Sequence, residues 1–381
     1  NYVRCDTFVG DGTQTVADIT YYGGLGYPVQ EVNTKFTSAG KDLVTGIVYD
    51  NMRRPDAKVL LPHSRSSSGY SHFDQDYVNT QRQYYSVHGF GDGSAACKVN
   101  TFGASGRMTS SRREGQEYKD QNIRTRFRYR LNTVEDSVTR FVYFPPTESS
   151  AAIVSTDDVH PFGNLKVVTT TDEDDNVREV FSDMDDKVIL ERRKDEGQNN
   201  DTYYVYDIRD SLVCVIQPMG VKNLQEDFFL DSQFAQDWCF TYLYDDVGNL
   251  IEKHVPGGGT ISSAYDLRGR IVLTSDQLMK QSSVYRYFIY DSLDRILEEG
   301  YVKNTNPISS MRDALATGED AVDVIGTARV PQRVSTYYDT AALPVDAKQY
   351  VLTSFSLSTV AARAALISLN VPLAPFLSFR P

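Results

Sequence analysis

FTYLYDDVGNLIEKHVPGGGTISSAYDLRGRIVLTS, residues 240–275, states one pattern twice. Each half is an aromatic and apolar run ending in Tyr-Asp, then two residues, a Gly, a polar residue and a second apolar run. That order predicts a β-hairpin. Tyr244 and Tyr265 end incoming strands, Asp245 and Asp266 bond backbone amides two residues on, and Gly248 and Gly269 supply positive φ. Outgoing strands then begin at Leu250 and Ile271. Repetition at this period predicts an architecture built by stacking.

Aligned on the Tyr, the unit recurs in weaker form. TYYGGLGYPVQEV surrounds Tyr22, IVYDNMRRPDAKVLL Tyr49, YYVYDIRDSLVCVIQ Tyr206 and YFIYDSLDRILEEG Tyr290, while EVFSDMDDKVILERR has Ser182 in the Tyr position. STYYDT around Tyr338 is a further copy without the following Gly-Arg. Spacings of 21, 24, 25 and 27 residues separate the tighter neighbours, and spacings of 38 and 48 carry insertions. Gly stands at the turn position in Gly26, Gly248 and Gly269; Asp186, Asp210 and Asp294 replace it in three copies and Arg53 in one. Asp tolerates the left-handed region, whereas Arg53 is expected to cost roughly 1–2 kcal/mol or to force another turn type.

The bulk composition agrees with a Tyr-rich sheet. The chain has 25 Tyr and 18 Phe but a single Trp, and Tyr suits strands because its ring packs on the pleat while its hydroxyl reaches a polar partner. A net charge of −12 argues against nucleic acid as a partner. No apolar run reaches the roughly 18 residues a membrane span needs. The sequence opens at Asn1 with neither Met nor a leader pattern, so a signal peptide is expected to have been removed or to lie outside it. Cys5, Cys97, Cys214 and Cys239 lack C-x-x-C spacing. They fit either two disulfides or sparse buried thiols.

The expected organisation has three parts. Residues 1–160 form an amino-terminal β region, with repeat-like units at 20–62 and a loop-rich segment at 65–115. Residues 161–340 form a repeat sheet with inserts at 222–239 and 303–330, and 341–381 are an atypical tail. Ser64 to Arg107, rich in Ser, Gly and Asn, reads as loops joining short strands, and Arg124 to Phe144 alternates around Asn-Thr-Val-Glu-Asp as a hairpin would. Short helices are expected over Asp231 to Cys239, capped by Asp231 or Ser232, and within Pro307 to Val324, capped by Ser310. Residues 351–381 hold no Asp or Glu and only Arg363 and Arg380 among basic residues. A helix over Thr359 to Leu369 would need a partner surface: it docks on the preceding sheet, or the sequence stops short of the body it contacts.

Isolated motifs are weak. Asp172, Asp174 and Asn176 begin a calcium-loop pattern that fails at Val177 and Asp183, so an acidic hairpin turn is the stronger reading. Gly89, Gly91 and Gly93 resemble a phosphate loop only superficially, since no Lys-Ser or Lys-Thr follows. His63, His72, His88, His160 and His254 never fall at H-x-x-x-H spacing, and no G-x-S-x-G elbow occurs. No catalytic, cofactor-binding or metal residue is nominated. Stacked Tyr rings beside Asp could bind sugars, but a residue repeated at every strand-turn junction is explained by stacking in every copy.

These repeats resemble the bacterial YD-repeat, or Rhs, family, whose relatives include toxin-complex shells and teneurins. YYGGLGYPVQEV and DLVTGIVYDNMRRPDAKVLLP look like its amino-terminal signature, with Gly23 where Asp is usual and Tyr27 where Arg is usual. The resemblance covers about residues 20–300, faintly near 65–160. It implies an all-β fold of successive antiparallel hairpins in a curved open sheet, a partial β-shell with short helical inserts. It also implies a secreted or cell-surface, non-enzymatic wall that encloses or presents a polypeptide cargo such as a toxin, or joins remaining shell segments. The family's Asp-Pro and Gly-Leu self-cleavage motif and a toxin domain are missing here, as expected of an amino-terminal part or a shortened member. A surface carbohydrate-binding or carbohydrate-processing protein is the alternative, and association through sheet edges a lesser one. Under the wall reading, Tyr244, Tyr265 and Tyr290 form a ladder, and Ala at one of them costs roughly 3–5 kcal/mol if the ring is fully buried.

Overall fold

The computed structural model describes residues 1–9, 14–65, 73–145, 153–195, 197–224 and 228–335. The copy at Tyr338, the helix expected over Thr359 to Leu369 and the tail at 341–381 lie outside these residues. The chain divides into two compact units, residues 1–136 with 161–200, and residues 137–160 with 201–381.

The first unit is a ladder of antiparallel strands. Tyr2–Val9 pairs with Gln14–Tyr22, that strand with Pro28–Asn33, and Pro28–Asn33 with Asp42–Val48. Asp42–Val48 then divides its partners between Lys58–Leu60 and His63–Arg65. Cys97–Phe102, Met108–Arg112 and Thr125–Leu131 continue the ladder to Lys166–Thr171, Val177–Ser182 and Val188–Asp195. Alternation places Asp42, Val44 and Gly46 inward on one strand, and Val44 packs with Ala17, Ile19 and Val32.

Two expectations fail in this unit for non-local reasons. The stretch read as loops contains the helix Tyr77–Ser86, which has no side-chain cap. It is held from outside its own sequence. A Cβ on Gly46 would sit 2.2 Å from Cδ2 of Tyr77, so the missing side chain lets the ring lie on the sheet. The Tyr77 hydroxyl donates to the Ile47 carbonyl at 2.8 Å, and the buried Gln81 donates to the Ala96 carbonyl at 2.7 Å. Arg124 to Phe144, secondly, is not a hairpin. Thr125–Leu131 pairs with Lys166–Thr171, and Thr139–Phe144 pairs with Ile153–Val159. The buried Asn132 redirects the chain: its Oδ1 accepts from the Leu165 amide at 2.8 Å and its Nδ2 donates to the Pro161 carbonyl at 2.9 Å. Arg130 grips Asp136 through two bonds of 2.6 and 2.8 Å, closing the segment on itself.

The second unit is a simpler meander. Gln198–Tyr206, Leu212–Ile216, Cys239–Tyr244, Leu250–Val255, Gly259–Tyr265, Ile271–Ser275, Val284–Tyr290, Ile296–Lys303 and Arg329–Ser335 pair successively, each step antiparallel. A small sheet joins Thr139–Phe144, Ile153–Val159 and Phe228–Phe229. The insert after Pro307 forms two helices, Ile308–Ala316 and Ala321–Ile325. The first starts directly after Pro307 with no side-chain cap, so Ser310 lies inside it, and Asp320 caps the second. Their Ile308, Met311, Leu315, Val324 and Ile325 cover Ala264, Val272, Leu273, Tyr285, Tyr287 and Val302 of the sheet. The helix Gln233–Trp238 is capped by Ser232, whose hydroxyl accepts from the Ala235 amide.

Both ladders are open. No described pairing joins Tyr2–Val9 to Val188–Asp195, or Gln198–Tyr206 to Arg329–Ser335. The fold is all-β, of successive antiparallel hairpins with short helical inserts.

Candidate functional site

One turn geometry recurs at Gly23, Asp50, Gly103, Asp172, Asp183, Asp207, Asp245, Asp266 and Asp291. In each, the first residue's N–H donates to the carbonyl of the fifth, and the fourth residue's N–H donates back to the carbonyl of the first. The fourth residue takes a left-handed φ: 79° at Gly26, 62° at Asp175, 64° at Asp210 and Asp294, 96° at Gly248. Arg53 adopts the same conformation at 59° and forces no other turn type. Where Asp comes first, its Oδ1 accepts from the amides of the third and fifth residues at 2.8–3.0 Å. Its second oxygen takes the side chain of the fifth residue: Arg54, Arg270 and Arg295 at 2.6 Å, Asn176 at 3.0 Å and Asn249 at 2.9 Å.

Two of these turns, Gly103 to Arg107 and Asp172 to Asn176, escape an alignment anchored on Tyr, because Phe102 and Thr171 end their strands. Searching for Asp or Gly followed three residues later by Gly or Asp would have found both. The second is an acidic hairpin turn, in which the Asp172 carboxylate accepts from the Asp174 and Asn176 amides and the Asn176 side chain.

The tyrosines connect the turns. The Tyr49 hydroxyl donates to the Pro28 carbonyl at 2.7 Å, Tyr244 to Leu212 at 3.0 Å, Tyr265 to Leu250 at 2.9 Å and Tyr290 to Ile271 at 2.9 Å. Every acceptor is the residue that opens the outgoing strand of the preceding turn, so each hydroxyl staples its hairpin to the one before. Burial raises the pKa of all four phenols. The rings are only half-buried; complete burial belongs to Tyr287, at 0% exposure, on the helix-covered face.

At four of the turns the fifth residue makes the opposite link, packing against an aromatic ring of a later strand. Arg54 lies 4.1 Å from the Phe102 ring centre, Arg107 lies 5.2 Å from Tyr129 and Arg270 lies 4.7 Å from Tyr290. At the first turn Tyr27 occupies this position, and its ring centre is 5.6 Å from that of Tyr49. An aromatic therefore does there what Arg does elsewhere. Guanidinium groups also cross between turns: Arg268 and Arg270 reach Asp294 at 2.7 and 2.8 Å, and Arg209 reaches the Asp245 and Asp246 carbonyls at 3.5 and 3.4 Å.

The carboxylates respond as this geometry requires. Burial pushes Asp266 up, but hydrogen bonds from the Arg270 side chain and backbone outweigh it and hold the group below the usual range. Asp245 and Asp291 balance the same way, against Asn249 and Arg295 respectively. The Arg54 amide lowers Asp50, and the Asn176 side chain lowers Asp172.

Other motifs resolve separately. In the Gly89 to Gly93 loop, Asp92 accepts from the Ser94 amide at 2.9 Å and pairs with Arg82 at 2.6 Å. His88 stacks on Tyr84 at 4.2 Å, and His254 bonds Thr260 and the Gln236 carbonyl. His63 is buried near Asp74 and Arg65 with both ring nitrogens unpaired, and burial lowers its pKa. His72 lies outside the described residues. All four cysteines are free thiols; Cys97, Cys214 and Cys239 are buried and Cys5 is exposed. Among the described residues no three His, Cys, Asp or Glu side chains group as metal ligands, and no helix is long and apolar enough to cross a membrane.

Residues 7–131 match a family model described as a domain of unknown function, DUF6443. No curated protein sequence matches the chain. Solved structures resemble it distantly. TcdB2-TccC3 is 15% identical over 77% of this chain, with a TM-score of 0.39, and TcdB2-TccC3-Cdc42 is 15% identical over 77%, with a TM-score of 0.40. The Photorhabdus luminescens Tc holotoxin pore is 13% identical over 80%, with a TM-score of 0.42. The chain spans 13% of the length of each of these toxin-complex chains.

Proposed function

We propose that this chain is a non-enzymatic structural segment of an exported or surface-exposed YD-repeat wall that encloses or presents a polypeptide. The observation that carries this reading is the occupation of the repeated groups. The four tyrosine hydroxyls donate to backbone carbonyls of neighbouring hairpins, and the turn carboxylates accept backbone amides. A carbohydrate site would draw on those hydroxyls and carboxylates, which are here engaged within and between hairpins. A wall needs them joined as they are, because each strand's backbone groups are satisfied by its neighbours and each hairpin by the next. The polypeptide partner, or the remaining segments of the wall, follows from the family resemblance of the repeats.

The test compares the native chain with Tyr265→Phe in two assays: binding to a glycan array, and protease protection of the polypeptide encoded immediately downstream when the two are co-expressed. The wall reading expects no specific glycan binding by either protein and protection of the downstream polypeptide. Submillimolar glycan binding that disappears in Tyr265→Phe, without protection, would overturn it in favour of the carbohydrate reading.

A further inference from the structure

The corners of the hairpin turns carry exposed aliphatic side chains. In the second unit Ile208 is 99% exposed, Val247 88%, Leu267 74% and Leu293 69%. Each occupies one of the two corner positions between the turn Asp and the left-handed residue, where no backbone constraint asks for an apolar residue. The four turns touch in sequence. Arg209 bonds the Asp245 and Asp246 carbonyls, Arg268 bonds the Ser292 carbonyl and Asp294, and a Cβ on Gly269 would meet Asn249 at 3.4 Å. The four side chains therefore stand along one rim of successive turns, with guanidinium groups between them. The rim is acidic: turns 207–211, 245–249, 266–270 and 291–295 hold seven carboxylates against four guanidinium groups.

We propose that this rim is the docking site of the chain's own residues 351–381. The sign of the rim narrows the choice of occupant. A second copy placed rim to rim would set carboxylates against carboxylates, and an anionic lipid surface or nucleic acid has the wrong charge. What fits is an apolar, acid-free segment bearing positive charge. Residues 351–381 contain no Asp or Glu, are rich in Leu, Val, Ala and Phe, and carry Arg363 and Arg380.

The route of the chain agrees. Ser335, the last residue of Arg329–Ser335, is registered opposite Glu298, so the strand ends at the rim side of Ile296–Lys303, beside the Asp291 turn. From there residues 336–350 extend to about 50 Å at most. The four turns span three hairpin steps, about 29 Å at two strand spacings each. The linker reaches every turn. This inference concerns how the chain covers its own turns, and it stands or falls separately from any enclosed polypeptide.

The experiment uses the full chain. p-Benzoylphenylalanine placed at position 247 is expected to cross-link within one molecule to residues 351–381, with a yield unchanged on tenfold dilution. Trypsin cleavage after Arg363 is expected to accelerate at least tenfold in a triple variant, Ile208→Asp, Val247→Asp and Leu293→Asp. Its core is untouched, so its urea midpoint serves as a folding control. Cross-links between two copies, cross-links that miss residues 351–381, no cross-link at all, or equal cleavage rates in the two proteins would overturn the proposal.

Discussion

At the scale of single residues, the fold is held by small polar links placed at one position of each repeat. The Tyr265 hydroxyl is the clearest case: it donates to the Leu250 carbonyl, and Phe in its place keeps the ring and loses that bond. Tyr265→Phe is expected to lose about 1 kcal/mol, the net worth of one such bond, read as a lower urea midpoint at unchanged slope. Ala at the same position costs less than the 3–5 kcal/mol of a fully buried ring, because the ring is half-buried. Arg53 offers the reverse experiment. It holds a φ of 59° where Gly is unstrained, and its guanidinium lies 5.6 Å from the Tyr27 ring centre. Relief of strain outweighs that exposed contact and the greater freedom of Gly in the unfolded chain. Arg53→Gly is expected to raise stability by roughly 0.5–1 kcal/mol in the same assay.

At the scale of elements, what the sequence discloses depends on how far away the partner lies. The turns at Tyr244 and Tyr265 are legible because Asp, two corner residues and Gly satisfy one another within five positions. Ring capping by the fifth residue is half-legible: Tyr27 stands out as a departure from Arg, but its contact with Tyr49 does not. The pairing of Thr125–Leu131 with Lys166–Thr171 was hidden, because a local alternation suggested a nearer partner and the deciding bonds come from Asn132 to Pro161 and Leu165. Tyr77–Ser86 was hidden for a related reason: its footing is a glycine 31 positions upstream in sequence. Gly46→Ala is expected to push the Tyr77 ring off the sheet at a cost of about 1–3 kcal/mol. Faster amide hydrogen exchange confined to the helix and its contacts at Ile47 and Ala96 would report it; uniform exchange would refute that mechanism.

At the scale of the whole molecule, many similar turns make one pH response. Asp50, Asp172, Asp245, Asp266 and Asp291 all sit below the usual aspartate range in the folded chain. The folded carboxylates thus bind protons less tightly than the unfolded ones. Their contribution to stability is complete above the unfolded pKa, near 4, and is lost as the pH falls through the lower folded values. The turns' share of the urea midpoint is expected to stay level from pH 7 to about 5 and to drop steeply below 4, on top of a shallower fall that begins below the unfolded histidine pKa near 6.5, because the buried His63 resists protonation. Asp266→Asn, which keeps an acceptor oxygen but cannot titrate, should flatten part of that drop; an unchanged acid limb would count against the turns as its source.

The tyrosine staples also give the second unit a direction. Each hydroxyl holds the hairpin before it and none holds the one after, so the series Tyr244, Tyr265, Tyr290 works like a row of latches that opens from one end. Under mechanical load applied at the carboxy-terminal side of the sheet, Tyr290 must let go of Ile271 before Tyr265 is stressed, and Tyr265 of Leu250 before Tyr244. Single-molecule pulling is expected to show unfolding in hairpin-sized steps in that order, with Tyr265→Phe weakening the second step and leaving the first unchanged. A molecule assembled this way resists tension one link at a time, and it can be unfastened without the whole sheet failing at once.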